Sequence, residues 1–178
     1  TENPLQYCAI IYEGVPEVME AKRDAFRYAS DCARDDAIIA STTSTFLVTE
    51  LAGLVNNQQR FMNAHWLNPA HLMPLVEISR SDETDQGAVD SLIASLESIG
   101  KVPIVCSASP GYIVPRIQAV AMIEAARLVE EGVASAEDID KAISVGFGIR
   151  FSVLGVLEFI DWGGGDILHY GTQYLAEK

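Results

Sequence analysis

Tyr7-Cys8-Ala9-Ile10-Ile11-Tyr12, closed by Glu13-Gly14 and followed by Pro16-Glu17-Val18-Met19, reads as a buried strand passing into a helix. A short continuous apolar run bounded by glycine marks a strand covered on both faces. Pro16 suits the first turn of a helix, with Glu17 and Glu20 near its positive end. Ala37-Ile38-Ile39-Ala40 is a second buried strand, ending in the polar turn Ser41-Thr42-Thr43-Ser44-Thr45. Thr49-Glu50-Leu51-Ala52 begins a further helical stretch. Arg60-Phe61-Met62-Asn63-Ala64-His65 and Leu75-Val76-Glu77-Ile78 are the third and fourth strands. Ser81-Asp82-Glu83-Thr84 opens a helix that carries Leu92, Ile93, Leu96 and Ile99 at helical spacing and stops at Gly100. Val102-Pro103-Ile104-Val105-Cys106 is a last strand, placed at a sheet edge by its proline. Strands alternating with helices predict a mostly parallel, doubly wound α/β sheet over residues 1–109.

After Pro110-Gly111 the pattern becomes all-α. Residues 113–132 read as one long amphipathic helix ending at Gly132. Ser135-Ala136-Glu137-Asp138 is an N-cap with acids in the first turn. Residues 154–160 and 167–175 give two more helices, so a helical unit is expected over 110–178.

Composition narrows the function. With 49% hydrophobic and 21% charged residues, the chain is ordinary for a folded soluble protein. The net charge of −13 argues against a nucleic-acid surface, which needs clustered lysine and arginine. No apolar run reaches membrane-spanning length and no signal-peptide pattern opens the chain, so no membrane partner is expected. Cys8, Cys32 and Cys106 have neither CxxC nor metal-ligand spacing, and His65, His71 and His169 form no ligand pair. Free thiols, a reducing cytoplasmic compartment and no metal site are expected.

The chemistry gathers around Ala64-His65-Trp66-Leu67-Asn68-Pro69 and Glu77. Histidine is the natural base for removing a hydroxyl proton near neutral pH. A carboxylate on its other nitrogen fixes the tautomer and stabilises the imidazolium that forms. No GxGxxG is present, and the glycine cluster Gly163-Gly164-Gly165 follows a helix near the other end of the chain. A chain that begins with Thr1 and has no such turn is expected to lack an N-terminal half, or to be an incomplete dinucleotide-binding protein.

With Ser41-Thr42-Thr43-Ser44 and Ser109-Pro110-Gly111-Tyr112-Ile113 in order around His65 and Glu77, the chain resembles the 3-hydroxyacyl-CoA dehydrogenase family. The resemblance runs from about Tyr12 to Tyr174. It implies the C-terminal part of a Rossmann-type NAD-binding domain, then part of a helical dimerisation domain, and hence a homodimer. It implies NAD as cofactor and a small-molecule substrate, a CoA thioester. His65 matches the family's catalytic base and Glu77 its partner acid. Ser44 and Asn68 match residues that meet substrate and the nicotinamide region, and Glu17 and Lys22 match residues in or beside the NAD site.

Three departures bear on the substrate. Thr42 replaces the family's usual asparagine, and Pro115 stands where many members carry an active-site asparagine. Phe151-Ser152-Val153-Leu154 replaces the usual Met-Gly-Pro, and Ile149-Arg150-Phe151 looks more like relatives that oxidise free hydroxy acids such as carnitine or gulonate. Two alternatives therefore stand beside the thioester reading. One is a dehydrogenase of a free 3-hydroxy acid. The other is a non-catalytic interaction module in which the helix over 113–131 is a dimer surface.

Overall fold

The computed structural model describes residues 3–176. Five strands form one sheet in chain order: β1 (Ile10–Glu13), β2 (Ile38–Ser41), β3 (Phe61–Trp66), β4 (Leu75–Arg80) and β5 (Val102–Ser107). The first three strands are parallel, as are β4 and β5. The pairing of β3 with β4 is antiparallel, so the mostly parallel sheet that the sequence predicts carries one antiparallel pairing. The cause is the short connection over 67–74. A parallel return needs a crossover of a dozen residues or more, usually a helix, whereas a short loop can only reverse the chain. That reversal places His65 directly opposite Glu77.

Helices cover both faces. On one, α1 (Met19–Cys32) and α2 (Val48–Ala52) pack Phe26, Ala29, Val48 and Leu51 against Ile11, Ile39 and Phe61. On the other, α3 (Gln86–Ser98) packs Val89, Leu92 and Leu96 against Ile38, Met62, Val76 and Ile78. Alternating side chains along each strand separate the two cores. Pro103 lies on β5, an edge strand, where its missing N–H leaves the sheet's hydrogen-bond ladder intact.

Two helix starts differ from expectation. Helix α1 begins at Met19, not at Pro16, because Glu17 is drawn away from the helix to the turn after β2. Helix α3 begins at Gln86 with Asp85 as its N-cap. The 81–84 segment is instead a turn closed by Thr84 Oγ1, which accepts from the Ser81 amide.

The chain forms two compact units that divide between Ala119 and Val120, within α4 (Val114–Glu130). The second unit holds the rest of α4, α5 (Ala136–Ala142), a π-helical turn (Ile143–Phe147), α6 (Gly148–Val153), α7 (Val156–Gly163) and α8 (Gly165–Ala176). Ser135 caps α5 as expected, accepting from the Asp138 amide. Among the described residues of this unit only Ile139 is buried, and Leu157, Trp162, Ile167 and Leu175 are exposed.

The α1 core should be sensitive to truncation. Phe26 is fully buried, with its ring edge-on to Phe61 at 5.3 Å. Phe26→Ala is expected to lower unfolding stability by about 3–5 kcal/mol, read from the urea midpoint at unchanged slope.

Candidate active site

Because alternate residues of a strand share a face, a polar row runs across the sheet beside the α1 core. Glu13, Ser41, Asn63, Ser79 and Cys106 are successive cross-strand neighbours in the register. One step along β3 and β4, on the same face, lie His65 and Glu77. These groups sit at the C-terminal ends of β1, β2 and β3, the end at which open α/β sheets bind ligands.

Glu77 is completely buried, yet every oxygen is used. Its Oε2 lies 2.9 Å from His65 Nδ1. Its Oε1 accepts from the amides of Ile113 and Val114, at 2.9 and 2.8 Å, where α4 begins. A carboxylate cannot donate, so the proton on this edge of the imidazole belongs to Nδ1 and Nε2 is left as the basic nitrogen. The helix N-terminus compensates the buried negative charge with its unpaired N–H groups and its dipole.

The opposite face of the site is set by Tyr112. Its ring lies nearly parallel to the imidazole, with centroids 4.7 Å apart and 12° between planes. Its hydroxyl donates to Thr43 O at 2.7 Å and accepts from Asn63 Nδ2 at 3.2 Å. Burial pushes the phenol well above its ordinary range, so it stays a donor at any working pH. Burial likewise raises the Cys106 thiol, and the neighbouring Glu77 charge adds to it.

A second buried carboxylate organises the turn after β2. Glu13 accepts from Lys22 Nζ at 3.1 Å on both oxygens, from Ser41 Oγ at 2.6 Å and from the Val15 amide at 2.7 Å. Lys22, only 1% exposed, is thus spent on Glu13, with Glu17 at 3.7 Å, and is not presented to a ligand. Glu17 itself accepts from Thr43 Oγ1 at 2.8 Å and from the Ser44 amide at 2.9 Å. Both residues shape the site from behind the turn. Ser44 and Asn68, in contrast, are exposed, Ser44 on the turn and Asn68 in the loop after β3.

So the structure brings His65 and Glu77 into contact and ties Glu17 and Lys22 to the turn that carries Ser44. Sequence reading gave no role to Glu13, Ser41, Asn63 or Tyr112, although Ser41 and Tyr112 lie within the segments that carry the family resemblance. The first three could have been found by stepping two residues at a time along the strands: polar residues at inward positions of otherwise apolar runs are costly unless used. Nothing local marks Tyr112, whose partners are far away in the chain. Among the described residues no group of three or more His, Cys, Asp or Glu is placed to hold a metal ion.

The family model for the NAD binding domain of 3-hydroxyacyl-CoA dehydrogenase matches residues 2–109, and the model for its C-terminal domain matches residues 111–178. The chain belongs to the 3-hydroxyacyl-CoA dehydrogenase family. It is 37% identical over 157 residues to the mitochondrial hydroxyacyl-coenzyme A dehydrogenase of Sus scrofa, covering 88% of this chain and 49% of that protein. It is 32% identical to the 5-formyl-3-hydroxy-2-methylpyridine 4-carboxylate 5-dehydrogenase of Mesorhizobium japonicum, covering 93% of this chain and 54% of that one. Among solved structures, a 3-hydroxyacyl-CoA dehydrogenase of Archaeoglobus fulgidus superposes with a TM-score of 0.87 at 33% identity, over 99% of this chain and 61% of that chain. The chain thus spans about half the length of the curated relatives of the 3-hydroxyacyl-CoA dehydrogenase family that it matches.

Two substitutions probe the two carboxylates. In Glu77→Gln the amide oxygen is claimed by the Ile113 and Val114 amides, which turns the NH₂ toward Nδ1. The ring must then accept there and carry its proton on Nε2. We expect a fold that remains intact, a switched His65 tautomer in ¹⁵N NMR, and turnover in the intact enzyme lower by about 10²–10⁴-fold. Lys22→Ala strands the buried Glu13 charge and should cost about 3–5 kcal/mol of stability, measured by chemical denaturation.

Proposed function

We propose that the protein carrying this chain oxidises the 3-hydroxyl of a 3-hydroxyacyl-CoA to the ketone, with NAD as hydride acceptor. The single observation that carries the reading is the buried His65–Glu77 pair, with Nδ1 engaged and Nε2 left to work as a base. In this reading His65 Nε2 takes the hydroxyl proton while the hydrogen on the same carbon leaves with its electron pair, and the carbon–oxygen double bond forms. Glu77 offsets the charge that the imidazolium acquires, and the α4 amides keep the carboxylate in place. In the reverse direction His65 returns the proton to the carbonyl oxygen.

NAD, when bound, supplies the hydride acceptor at its nicotinamide ring. The residues present suit that end of the cofactor. Ser44 and Asn68 offer an exposed hydroxyl and an exposed amide, the donor and acceptor types that a carboxamide and a substrate oxygen require. Glu17 and Lys22 support them through the turn. The pyrophosphate cradle of a dinucleotide fold, a glycine-rich turn, is not among these residues.

One observation favours a second substrate class, a free 3-hydroxy acid. Pro115 occupies the first turn of α4 with no side-chain donor and no N–H. Any hydrogen bond that an asparagine would give a thioester substrate is missing there.

Further parts of the proposal have their own support. The exposed apolar side chains of the helical unit favour a homodimer built through it. Cys8, Cys32 and Cys106 are unpaired thiols, which supports a reducing compartment, the cytoplasm. The net charge of −13 disfavours nucleic acid as a partner. No single helix is long and apolar enough to cross a membrane, among the described residues; the run Ala136–Val153 with Val156–Gly163 has the composition only as a pair bent by 87°.

A substrate panel separates the two classes. Purified protein with NAD is tested against short and long 3-hydroxyacyl-CoA thioesters, 3-hydroxybutyrate, carnitine and gulonate, with NADH absorbance as the readout. The proposal expects kcat/KM for the best thioester to exceed that for any free acid. The reverse order selects the second class, and a His65→Ala variant with undiminished turnover removes the base from the mechanism.

A further inference from the structure

Tyr112 is the residue of the site whose placement the hydroxyl-proton chemistry leaves unexplained. It is buried and sits at a φ of +49°, in left-handed backbone that a bulky side chain rarely adopts, directly after Gly111 at +75°. A tyrosine held this way needs surroundings that over-determine its position. Those surroundings are visible. Its amide donates to Ser109 O at 3.2 Å, and its ring covers the His65 imidazole. Its hydroxyl joins Thr43 O to Asn63 Nδ2, and the same Nδ2 also donates to Phe46 O at 3.0 Å.

The hydroxyl therefore ties together three pieces that are far apart in sequence. The first is the loop that leads into α4, whose amides hold Glu77. The second is β3, which carries Asn63 and His65. The third is the 41–46 turn, which carries Ser44 and whose Thr45 and Phe46 amides donate to Thr43 Oγ1. A tyrosine that merely filled space would need neither the positive φ nor polar partners on two other segments, and phenylalanine would serve as well.

We propose that Tyr112 is a positioning residue with two separable parts. Its ring fixes the plane of the His65 imidazole, and its hydroxyl locks the Ser44 turn in register with that base. The assignment rests on the reading of His65 as the base, so its test includes measurements that do not depend on turnover.

Two variants divide the two parts. Tyr112→Phe keeps the ring and removes the hydroxyl. Tyr112→Leu removes both. In the purified protein, hydrogen exchange at the Ser44, Thr45 and Phe46 amides should quicken by about fivefold to tenfold in Tyr112→Phe, the equivalent of one hydrogen bond. The His65 ring-proton resonances should stay in place in Tyr112→Phe and move downfield in Tyr112→Leu, as the shielding face of the phenol is lost. With an active substrate from the panel, Tyr112→Phe should raise KM by about fivefold to tenfold and change kcat little. Tyr112→Leu should lower kcat by about a hundredfold, the scale of a misplaced reacting group.

Unchanged exchange in the turn of Tyr112→Phe overturns the role of the hydroxyl. Unmoved His65 resonances in Tyr112→Leu, or wild-type kcat in that variant, overturn the role of the ring. If the wild type turns over no member of the panel, the proposed reaction fails on its own, and exchange and ring shifts still decide what Tyr112 does.

Discussion

One buried carboxylate holds this site together. Glu77 has no contact with water, so its charge must be met entirely by the protein, and it is met from two directions. Antiparallel pairing of β3 and β4 brings His65 against one oxygen, and the first amides of α4 meet the other. Removing either would leave a charge in a low-dielectric interior, at a cost comparable to a large share of a domain's stability. The contacts at the start of α4 and the tautomer of the imidazole both answer that one electrostatic requirement, while the short 67–74 loop sets the strand direction that brings the pair together. That requirement also explains why the imidazole can be rigid. Nδ1 cannot release its carboxylate without stranding it, so the ring is held in one orientation with Nε2 left free of Glu77.

The turn after β2 is built on the same logic with different parts. Glu13 is nearly as buried as Glu77, but its compensating charge is a lysine side chain and not a helix end. Lys22 reaches it from α1, while Ser41 and the Val15 amide take up its remaining capacity. Glu17 then extends the network outward to Thr43 and Ser44. Two anchored carboxylates thus organise the site, one fixing the His65 ring and one fixing the turn. Tyr112 spans the distance between them through Thr43 O and the His65 ring.

Much of this was legible in the chain, and the remainder had definite reasons for being hidden. The strand-helix alternation was readable because buried strands are short apolar runs and because Gly100 and Ser135 punctuate helices in the ordinary way. His65 and Glu77 were readable from residue type and order. The direction of β4 was not, since an apolar run has no sense of direction; only the shortness of the 67–74 loop reveals it. Pro16 looked like a helix opener because local chemistry favours it there. The pull of Thr43 and Ser44 on Glu17, a contact across 26 and 27 residues of sequence, outweighed that preference. The resemblance put Lys22 in or beside the NAD site, and only the fold shows that its charge is matched there by Glu13. For Glu17 and Lys22 a tertiary contact decided what local propensity could only suggest.

The start of α4 shows how such a contact also shapes what the site can bind. A helix leaves its first N–H groups without partners, and many proteins offer them to a ligand's negative charge. Here none is left over. The Ile113 and Val114 amides belong to Glu77, Pro115 has no N–H, and the Arg116 amide donates to Gly111 O at 2.9 Å. Proline at this position therefore does more than remove the asparagine side chain that many members carry. It closes the one place in the first turn where a free amide could have stood. In the proposed reaction a substrate oxygen entering beside His65 finds no free amide in the first turn of α4, so the proposal assigns its orientation to the exposed hydroxyl and amide of Ser44 and Asn68. In that proposal the position of the Ser44 turn, held by Glu17 on one side and by Tyr112 on the other, governs which hydroxy compound meets His65 in a productive pose.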